Sequence, residues 1–254
     1  MPKRQGAMLT AITMRMTTTT ITPMADTALY DLLTWMSPAW PIGAFAHSGG
    51  LEWAVEEGHL CDVDSCAAWL EDALSHGNLH NDAVLFVHAW RSAAGEDKAR
   101  LEAVAELAAA SLTGFERRLE ATAQGSAFRR IAMATADHGR FEALLAEVDD
   151  ADLTYPVAAA VQCACNGVPL EPALTAFLQA AVANLVSAAQ RLVPLGQTDG
   201  QRLLRGLRPA VLGLVGHAID LPNDDPFTQL GSCTLLADLG CMAHETQYTR
   251  LFRT

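Results

Sequence analysis

Runs of β-branched residues bounded by turns, the usual signature of strands, are nearly absent from this 254-residue sequence. From Leu29 onward, apolar residues instead recur at three- and four-residue spacing, and alanine, the strongest helix former, is abundant. The sequence therefore predicts an all-α fold, a single-domain compact bundle of about ten helices. The predicted helices span 28–36, 51–57, 64–76, 81–93, 97–111, 114–135, 139–148, 156–166, 172–191, 199–219 and 227–247.

The sequence contains few basic residues. It has 17 Lys and Arg and 29 Asp and Glu, which gives a net charge of −12. A body this acidic repels nucleic acid, so no nucleic-acid partner is expected. Residues 1–25 contain no acidic residue and no hydrophobic segment long enough for a signal peptide or a membrane span. We predict a disordered leader over 1–25, with a transit peptide or a start at Met24 as alternatives, and an all-helical domain over 26–254.

Cysteine is too sparse for a dense disulfide framework, and most of the six cysteines lie in apolar or alanine-rich stretches. Together with the absence of a signal segment, this distribution predicts reduced core thiols in a cytoplasmic protein with no membrane span. The six are Cys61, Cys66, Cys163, Cys165, Cys233 and Cys241.

Two catalytic signatures are missing. No GxxxxGK[ST] string is present, so any nucleotide chemistry must belong to a partner. His47, Ser48 and the following glycines superficially resemble a serine nucleophile beside an oxyanion loop. However, Pro41 and Gly43 precede Ser48 where a strand would be needed, and no acidic partner is indicated. We therefore expect a protein without catalytic activity.

Several local signals place the helix starts. Thr113 with Glu116, and Thr198 with Gln201, fit the capping box, in which two side chains satisfy backbone donors reciprocally. Pro172 suits a first helical turn. A four-residue stripe should face the core, whereas Pro209 should kink or shorten the same helix. The stripe consists of Leu203, Leu207, Val211 and Val215.

The loop from Ser37 to Glu52 combines two prolines and three glycines with several apolar side chains. A loop this apolar must be covered, either by a partner on a rigid docking surface or by packing inside the protein. Its glycines permit unusual backbone angles or close backbone approach, and Ser48 is placed to cap the helix beginning near Leu51.

Two further segments carry unusual side chains. The turn over 188–201 follows a long helix, and its Arg191 and Gln197 either bind helix-end carbonyls or contact a partner. The last eleven residues place aromatic, Leu and Arg side chains at a chain end, which is normally polar and frayed. Such an end either docks on a partner protein or forms a closing helix whose Leu251 and Phe252 rejoin the core.

Metal-ligand spacing is present but weak. Asp72, His76 and His80 recur every four residues, although Gly77 and Asn78 stand between the two histidines and can end the helix there. Cys241 and His244 are three residues apart on one helical face. Because isolated His and Cys on helices are mostly structural, we expect no dedicated metal site. The weak candidates are His76, His80, Cys241 and His244.

Three strings, SPAWPIGAFAHSGGLEWA, RLVPLGQTDGQ and HETQYTRLFRT, together resemble the urease accessory protein UreF family in their order and separations. The resemblance runs from Leu29 to the C-terminus, with departures at Trp40, His47 and Ala243. It implies a non-enzymatic helical homodimer that bridges the accessory protein UreD (also called UreH) and the GTPase UreG. The assembly would deliver nickel to apo-urease. The alternative is a stand-alone helical nickel-binding protein.

The resemblance also implies roles for particular residues. No tightly bound cofactor is expected, nickel would pass only in transit, and GTP would belong to the partner. Phe252→Ala is expected to abolish co-purification with UreD/UreH without changing the helical signal. The UreD/UreH contacts correspond to Tyr248, Arg250, Leu251, Phe252 and Arg253. A GTPase or dimer surface corresponds to Pro41, Gly43, Phe45, His47, Ser48, Gly50, Glu52, Arg191, Gly196, Gln197 and Gln201.

Overall fold

The computed structural model describes residues 24–135, 139–231 and 235–254. Within these ranges the chain forms α-helices and two short 3₁₀ segments, Ala44–Ala46 and Pro226–Gln229, with no strand, so the all-α prediction is confirmed. The helices are α1 (Asp26–Trp35), α2 (Leu51–Glu56), α3 (Val63–Ser75), α4 (Asn78–Ala94), α5 (Lys98–Ala110), α6 (Phe115–Thr135), α7 (Gly139–Leu144), α8 (Tyr155–Cys165), α9 (Leu170–Leu192), α10 (Gln197–Asp220) and α11 (Leu235–His244).

Helices α4 and α8 form the centre of the core. The two helices pack against each other over most of their length, and α8 is buried from Pro156 to Ala164. Its consecutive alanines leave room for the larger buried side chains of α4 and α9, such as Phe86 and Phe177, whose ring centroids lie 5.0 Å apart. Helices α3, α5, α6, α7 and α10 surround this centre.

Ten of the eleven predicted helices appear within a few residues of their expected bounds. The prediction for 227–247 is wrong, because that segment holds a 3₁₀ turn and the shorter helix α11. Extended backbone at Leu230, with Asp225 capping the 3₁₀ turn, prevents one continuous helix. The leader over 1–23 lies outside the described residues; Met24 packs against the core just before α1 begins.

The apolar stripe of α10 faces the core as predicted, since Leu203, Leu207, Val211 and Val215 are all buried. Pro172 lies in the first turn of α9, also as predicted. Pro209 does not shorten α10, which continues to Asp220.

Both predicted capping boxes are wrong. Helix α10 begins earlier than expected, and the Asp199 carboxylate, rather than Gln201, accepts the N–H of Gly196 at 3.2 Å. At the start of α6, Thr113 donates instead to the Asp238 carboxylate at 2.9 Å, and the N–H of Phe115 is bound by a residue from the far end of the chain.

The described cysteines are unpaired thiols. Cys66, Cys163 and Cys241 are buried as predicted, and burial raises the pKa of Cys66 to about 11 and that of Cys241 to about 12. Cys61 is exposed, which corrects the prediction for that residue, because it lies in the short link before the N-cap Asp62. Cys233 lies outside the described residues.

Helix α9 is long and apolar enough, by length and composition alone, to cross a membrane. Its packing is that of a core helix, because it contacts α2, α4, α8 and α10 along its length. Helix α2 packs against both α9 and α11, and Arg191 at the C-terminal end of α9 lies over the ring of Phe252, so these elements support the last residues of the chain.

Candidate docking site at the folded-back C-terminus

The C-terminal tail, residues 245–254, folds back over the glycine loop, residues 41–50. The N–H of Arg253 donates to the carbonyl of Ala46 at 2.8 Å, and the N–H of Ser48 donates to the carbonyl of Thr254 at 2.7 Å. The Ser48 hydroxyl reaches the same Thr254 carbonyl at 3.2 Å. Two of the three motifs identified in the sequence therefore form one structural unit.

Glu52, in the first turn of α2, holds the tail backbone. Its carboxylate accepts the N–H of Leu251 at 2.5 Å and the N–H of Phe252 at 2.9 Å. Hydrogen bonds to an ionised acceptor are roughly twice as strong as neutral ones, so a single side chain fixes two consecutive tail residues.

His244, at the end of α11, extends this arrangement. Its Nε2 lies 3.1 Å from Glu52, and its Nδ1 lies 2.7 Å from Glu116 on α6. Arg250 donates to the other oxygen of Glu116 at 2.7 Å. We call these four residues the Glu52–His244 cluster. The carboxylates and the imidazole are buried, and each lies within hydrogen-bonding distance of another member of the cluster, as buried polar groups require.

Arg191, at the end of α9, joins the loop to the tail. Its guanidinium carbon lies 3.7 Å from the ring centroid of Phe45 and 4.1 Å from that of Phe252, so the cation is sandwiched between the two rings. Its Nε also donates to the carbonyl of Ser187, so one of the predicted carbonyl contacts is present. A planar guanidinium can stack on aromatic rings and donate hydrogen bonds at its edge, so Arg191 makes both kinds of contact at the same time.

The tail leaves several side chains in solvent although its backbone is fixed. Tyr248 is fully exposed, and Leu251 is 65% exposed, whereas Phe252 is only 4% exposed. The interpretation of the tail as a closing segment therefore holds for Phe252 but not for Leu251. We call the exposed tail residues the docking surface; they are Tyr248, Arg250, Leu251 and Arg253.

His47 and Gly50 shape the glycine loop beneath the tail. His47 is buried with Nδ1 against the Thr254 hydroxyl, and burial lowers the pKa of its imidazole. Ser48 does not cap α2, because Gly50 occupies the N-cap position at φ 86°. A Cβ at Gly50 would lie 3.0 Å from the Cys241 sulfur, so the position needs glycine for both its backbone angle and its close approach to α11.

The other predicted loop and turn residues are exposed and separate from the tail. Pro41 and Gly43 lie in solvent, and the latter adopts φ 81°. Among the described residues, no hydrogen bond or ion pair joins Gly196, Gln197 or Gln201 to the tail, and the nearest recorded contact of Gln197 is a 3.5 Å approach to Gln190. Of the second motif, only Arg191 takes part in the site.

The candidate metal ligands named from the sequence do not come together as ligand pairs in the structure. His76 ends α3 and His80 lies on α4, so Gly77 does separate them. Cys241 lies against Gly50, while His244 has both ring nitrogens facing carboxylates, so these two do not form a ligand pair. No group of three or more His, Cys, Asp or Glu in the described ranges is arranged to hold a metal ion.

Two residues of the site were not found by sequence reasoning. Glu116 was interpreted as half of a capping box, and it instead binds His244 and Arg250. Glu245 accepts the N–H of Phe115 at 2.8 Å and so caps α6 from the other end of the chain. No local sequence pattern predicts contacts between residues that are more than a hundred positions apart.

The buried polar groups of this site hold a chain end in place and leave apolar side chains in solvent, an arrangement typical of a non-catalytic helical protein with a surface for protein contacts. A sequence model of the UreF family matches residues 60–208, more than half of the chain. The chain belongs to the UreF family of urease accessory proteins. Members of this family are accessory proteins and not enzymes, so the prediction of a non-catalytic protein is confirmed.

Curated relatives named urease accessory protein UreF match nearly the whole chain. The protein of Rhodopseudomonas palustris (strain BisB18) is 50% identical over 228 residues, covering 89% of this chain and 92% of the relative. That of Bradyrhizobium sp. (strain ORS 278) is 48% identical over 227 residues, covering 89% and 92%. A third, from Rhodopseudomonas palustris (strain BisB5), is 47% identical over 242 residues, covering 93% and 97%.

Proposed function

We propose that this protein is a cytoplasmic homodimeric scaffold that bridges the accessory protein UreD/UreH and the GTPase UreG, so that nickel can be inserted into apo-urease. Family membership supports a role in urease maturation. In this proposal the protein contributes binding surfaces, GTP is bound by the partner, and nickel is cargo.

The conformation of the C-terminal tail is the main observation that supports this proposal. Its backbone is held by Glu52 and by the glycine loop, whereas Tyr248 and Leu251 project into solvent. A segment already fixed in one conformation loses little entropy when a partner covers it. Tyrosine and arginine, which stand beside the exposed leucine, are residue types enriched in binding hot spots. The docking surface is the proposed UreD/UreH contact.

Helix α11 enlarges this surface. Leu236, Leu239 and Met242 recur at three-residue spacing and are all exposed, and Phe115 at the start of α6 is exposed as well. A partner that covers both the α11 face and the tail would bury a largely apolar patch rimmed by arginine, as protein interfaces do.

The glycine loop is the proposed GTPase or dimer contact, and it adjoins the tail. Phe45 is exposed on one side, and its ring also contacts the Arg191 that covers Phe252. Binding of UreD/UreH to the tail would therefore restrict the loop that the second protein uses. This arrangement supports assembly in which one partner prepares the site of the other.

The experiment separates exposed from buried tail residues. The double variant Tyr248→Ala with Leu251→Ala removes only solvent-exposed side chains, so it should abolish co-purification with UreD/UreH and leave the melting temperature unchanged. Phe252→Ala is the variant that the sequence analysis predicts to abolish UreD/UreH binding. It removes a buried ring, however, and should destabilise the fold by about 3–5 kcal/mol. Tyr30→Ala on α1, also an exposed tyrosine, is the matched control.

Retained UreD/UreH binding in the double variant would show that the tail is only structural. The maturation role is tested in cells that lack this gene. Urease subunits should remain at normal levels but lack nickel and activity. If nickel-loaded urease persists, the scaffold proposal fails. Nickel that stays bound stoichiometrically to the isolated chain after dialysis would then support the alternative nickel-binding protein.

A further inference from the structure

His80 on α4 and His217 in the last turn of α10 meet across two helices that are far apart in sequence. Their ring centroids lie 5.7 Å apart with an interplanar angle of 34°. His80 is half-buried and His217 is exposed, so the pair lies at the protein surface. Neither residue belongs to the docking surface or to the Glu52–His244 cluster.

We propose that His80 and His217 bind one divalent first-row transition cation, with water molecules filling the remaining coordination positions. Imidazole is a good ligand for nickel, zinc and copper. With metal–nitrogen bonds of about 2.1 Å, each ring centroid stands about 3.2 Å from a shared ion, so two rings on one ion lie about 4.5–6.4 Å apart. The observed separation of 5.7 Å falls inside this range.

His80 is held in place by the backbone at Gly231. The ring packs so closely against this glycine that an added Cβ would lie 3.2 Å from His80 Cδ2. The glycine is itself fixed, because its N–H donates to the side chain of Asn81 at 2.8 Å. The exposed His217 needs only side-chain rotation to direct a nitrogen toward the same point.

The position of the two histidines favours the binding of a cation that can also be released. His217 lies at the C-terminal end of α10, where the helix dipole favours positive charge. Two imidazoles with water in the other positions form an open site, from which the ion can exchange.

The test is a calorimetric Ni²⁺ titration of the full, tag-free chain without partners. The wild-type chain should bind one Ni²⁺ in a saturable step. His217→Ala should weaken this step by more than the roughly tenfold loss seen when even an outer-shell partner is removed. His59→Ala, another exposed histidine, is the matched control and should bind like the wild type. Cu²⁺ bound to the wild-type chain should show two imidazole nitrogens in its electron paramagnetic resonance spectrum, and only one in His217→Ala.

Because His217 is exposed, its replacement should leave the circular dichroism signal intact, and His80→Gln provides a second variant from the other helix. The absence of saturable binding, or equal affinity in wild type and His217→Ala, would overturn the proposal. The site does not depend on the scaffold function, because the titration contains no partner protein. Failure here would leave the tail experiment unaffected.

Discussion

Glu52 and His244, 192 positions apart in the sequence, face each other at 3.1 Å in the interior of the protein. The same glutamate accepts two backbone N–H groups of the tail, and the same histidine reaches Glu116 on α6. This contact joins the second helix, the last helix and the chain end. The tail conformation therefore depends on a buried side chain that is not part of the tail.

Replacing Glu52 should release the tail. Glu52→Gln replaces the carboxylate that accepts the N–H groups of Leu251 and Phe252 with a neutral amide and disturbs the contact with His244, so we expect a loss of about 1.5–3 kcal/mol in the free energy of unfolding. Urea unfolding measures this loss, and hydrogen exchange at the Leu251 and Phe252 amides should accelerate. Glu57→Gln, an exposed glutamate just after the same helix, should change neither quantity. Equal exchange rates in both variants would exclude Glu52 as the tail anchor.

Gly50 and Gly43 offer a matched pair for the glycine loop. Both have positive φ, but a Cβ at Gly50 would meet the Cys241 sulfur at 3.0 Å, whereas a Cβ at Gly43 would meet nothing within 4 Å. Gly43→Ala should cost about 1 kcal/mol from the backbone conformation alone. Gly50→Ala adds the clash with α11 and should cost roughly 1–3 kcal/mol more. Thermal unfolding of the two variants gives the comparison, and equal melting temperatures would contradict it.

The attachment of the tail should weaken in acid through His47. Burial, the largest cause, lowers the pKa of this imidazole below its ordinary 6.5, with Glu120 opposing and Arg253 adding to the effect. A state with the tail released takes up the proton first, so the stabilisation is present above about pH 6.5 and is lost as the pH falls through the folded-state pKa. The protection of the Ser48 and Arg253 amides from hydrogen exchange, relative to the intrinsic rate at each pH, should therefore fall as the pH is lowered from about 7 to 5.

His47→Asn is the control for this pH dependence, since it cannot titrate in that range. Its exchange rates at Ser48 and Arg253, corrected for intrinsic chemistry, should change less with pH than those of the wild type. A parallel pH response in both proteins would assign the effect to other groups.

Thiol reactivity should distinguish Cys61 from the buried cysteines. Cys61 is exposed, whereas burial raises the pKa of Cys66 to about 11 and that of Cys241 to about 12, so these two are neither accessible nor ionised at pH 8. Titration of the folded chain with a disulfide reagent should show a fast phase that Cys61→Ser reduces by one equivalent. Cys66→Ser should leave the fast phase unchanged; a reduction there would show that the region around α3 opens.

The sequence predicted the helices well where their signals are local. Periodic apolar residues and alanine content located α3, α6 and α9 within a few residues. The C-terminal helix was predicted too long, because extended backbone at Leu230 interrupts the periodic segment. The capping of α6 was predicted wrongly because its cap is not local. Glu245 accepts the N–H of Phe115 from more than a hundred residues away, and the sequence around Thr113 does not indicate this contact.

The sequence by itself determined the fold class, the family and the three motif segments, which are the glycine loop, the turn over 188–201 and the C-terminal tail. Helical periodicity and continuous motifs are properties of neighbouring residues, so they can be recognised without the fold. Only the tertiary structure decided that the tail and the glycine loop are one unit, that Phe252 is buried while Leu251 is exposed, and that His80 pairs with His217. Such pairings depend on how helices pack. A buried carboxylate must find donors wherever the packed chain presents them, and sequence spacing does not specify that place.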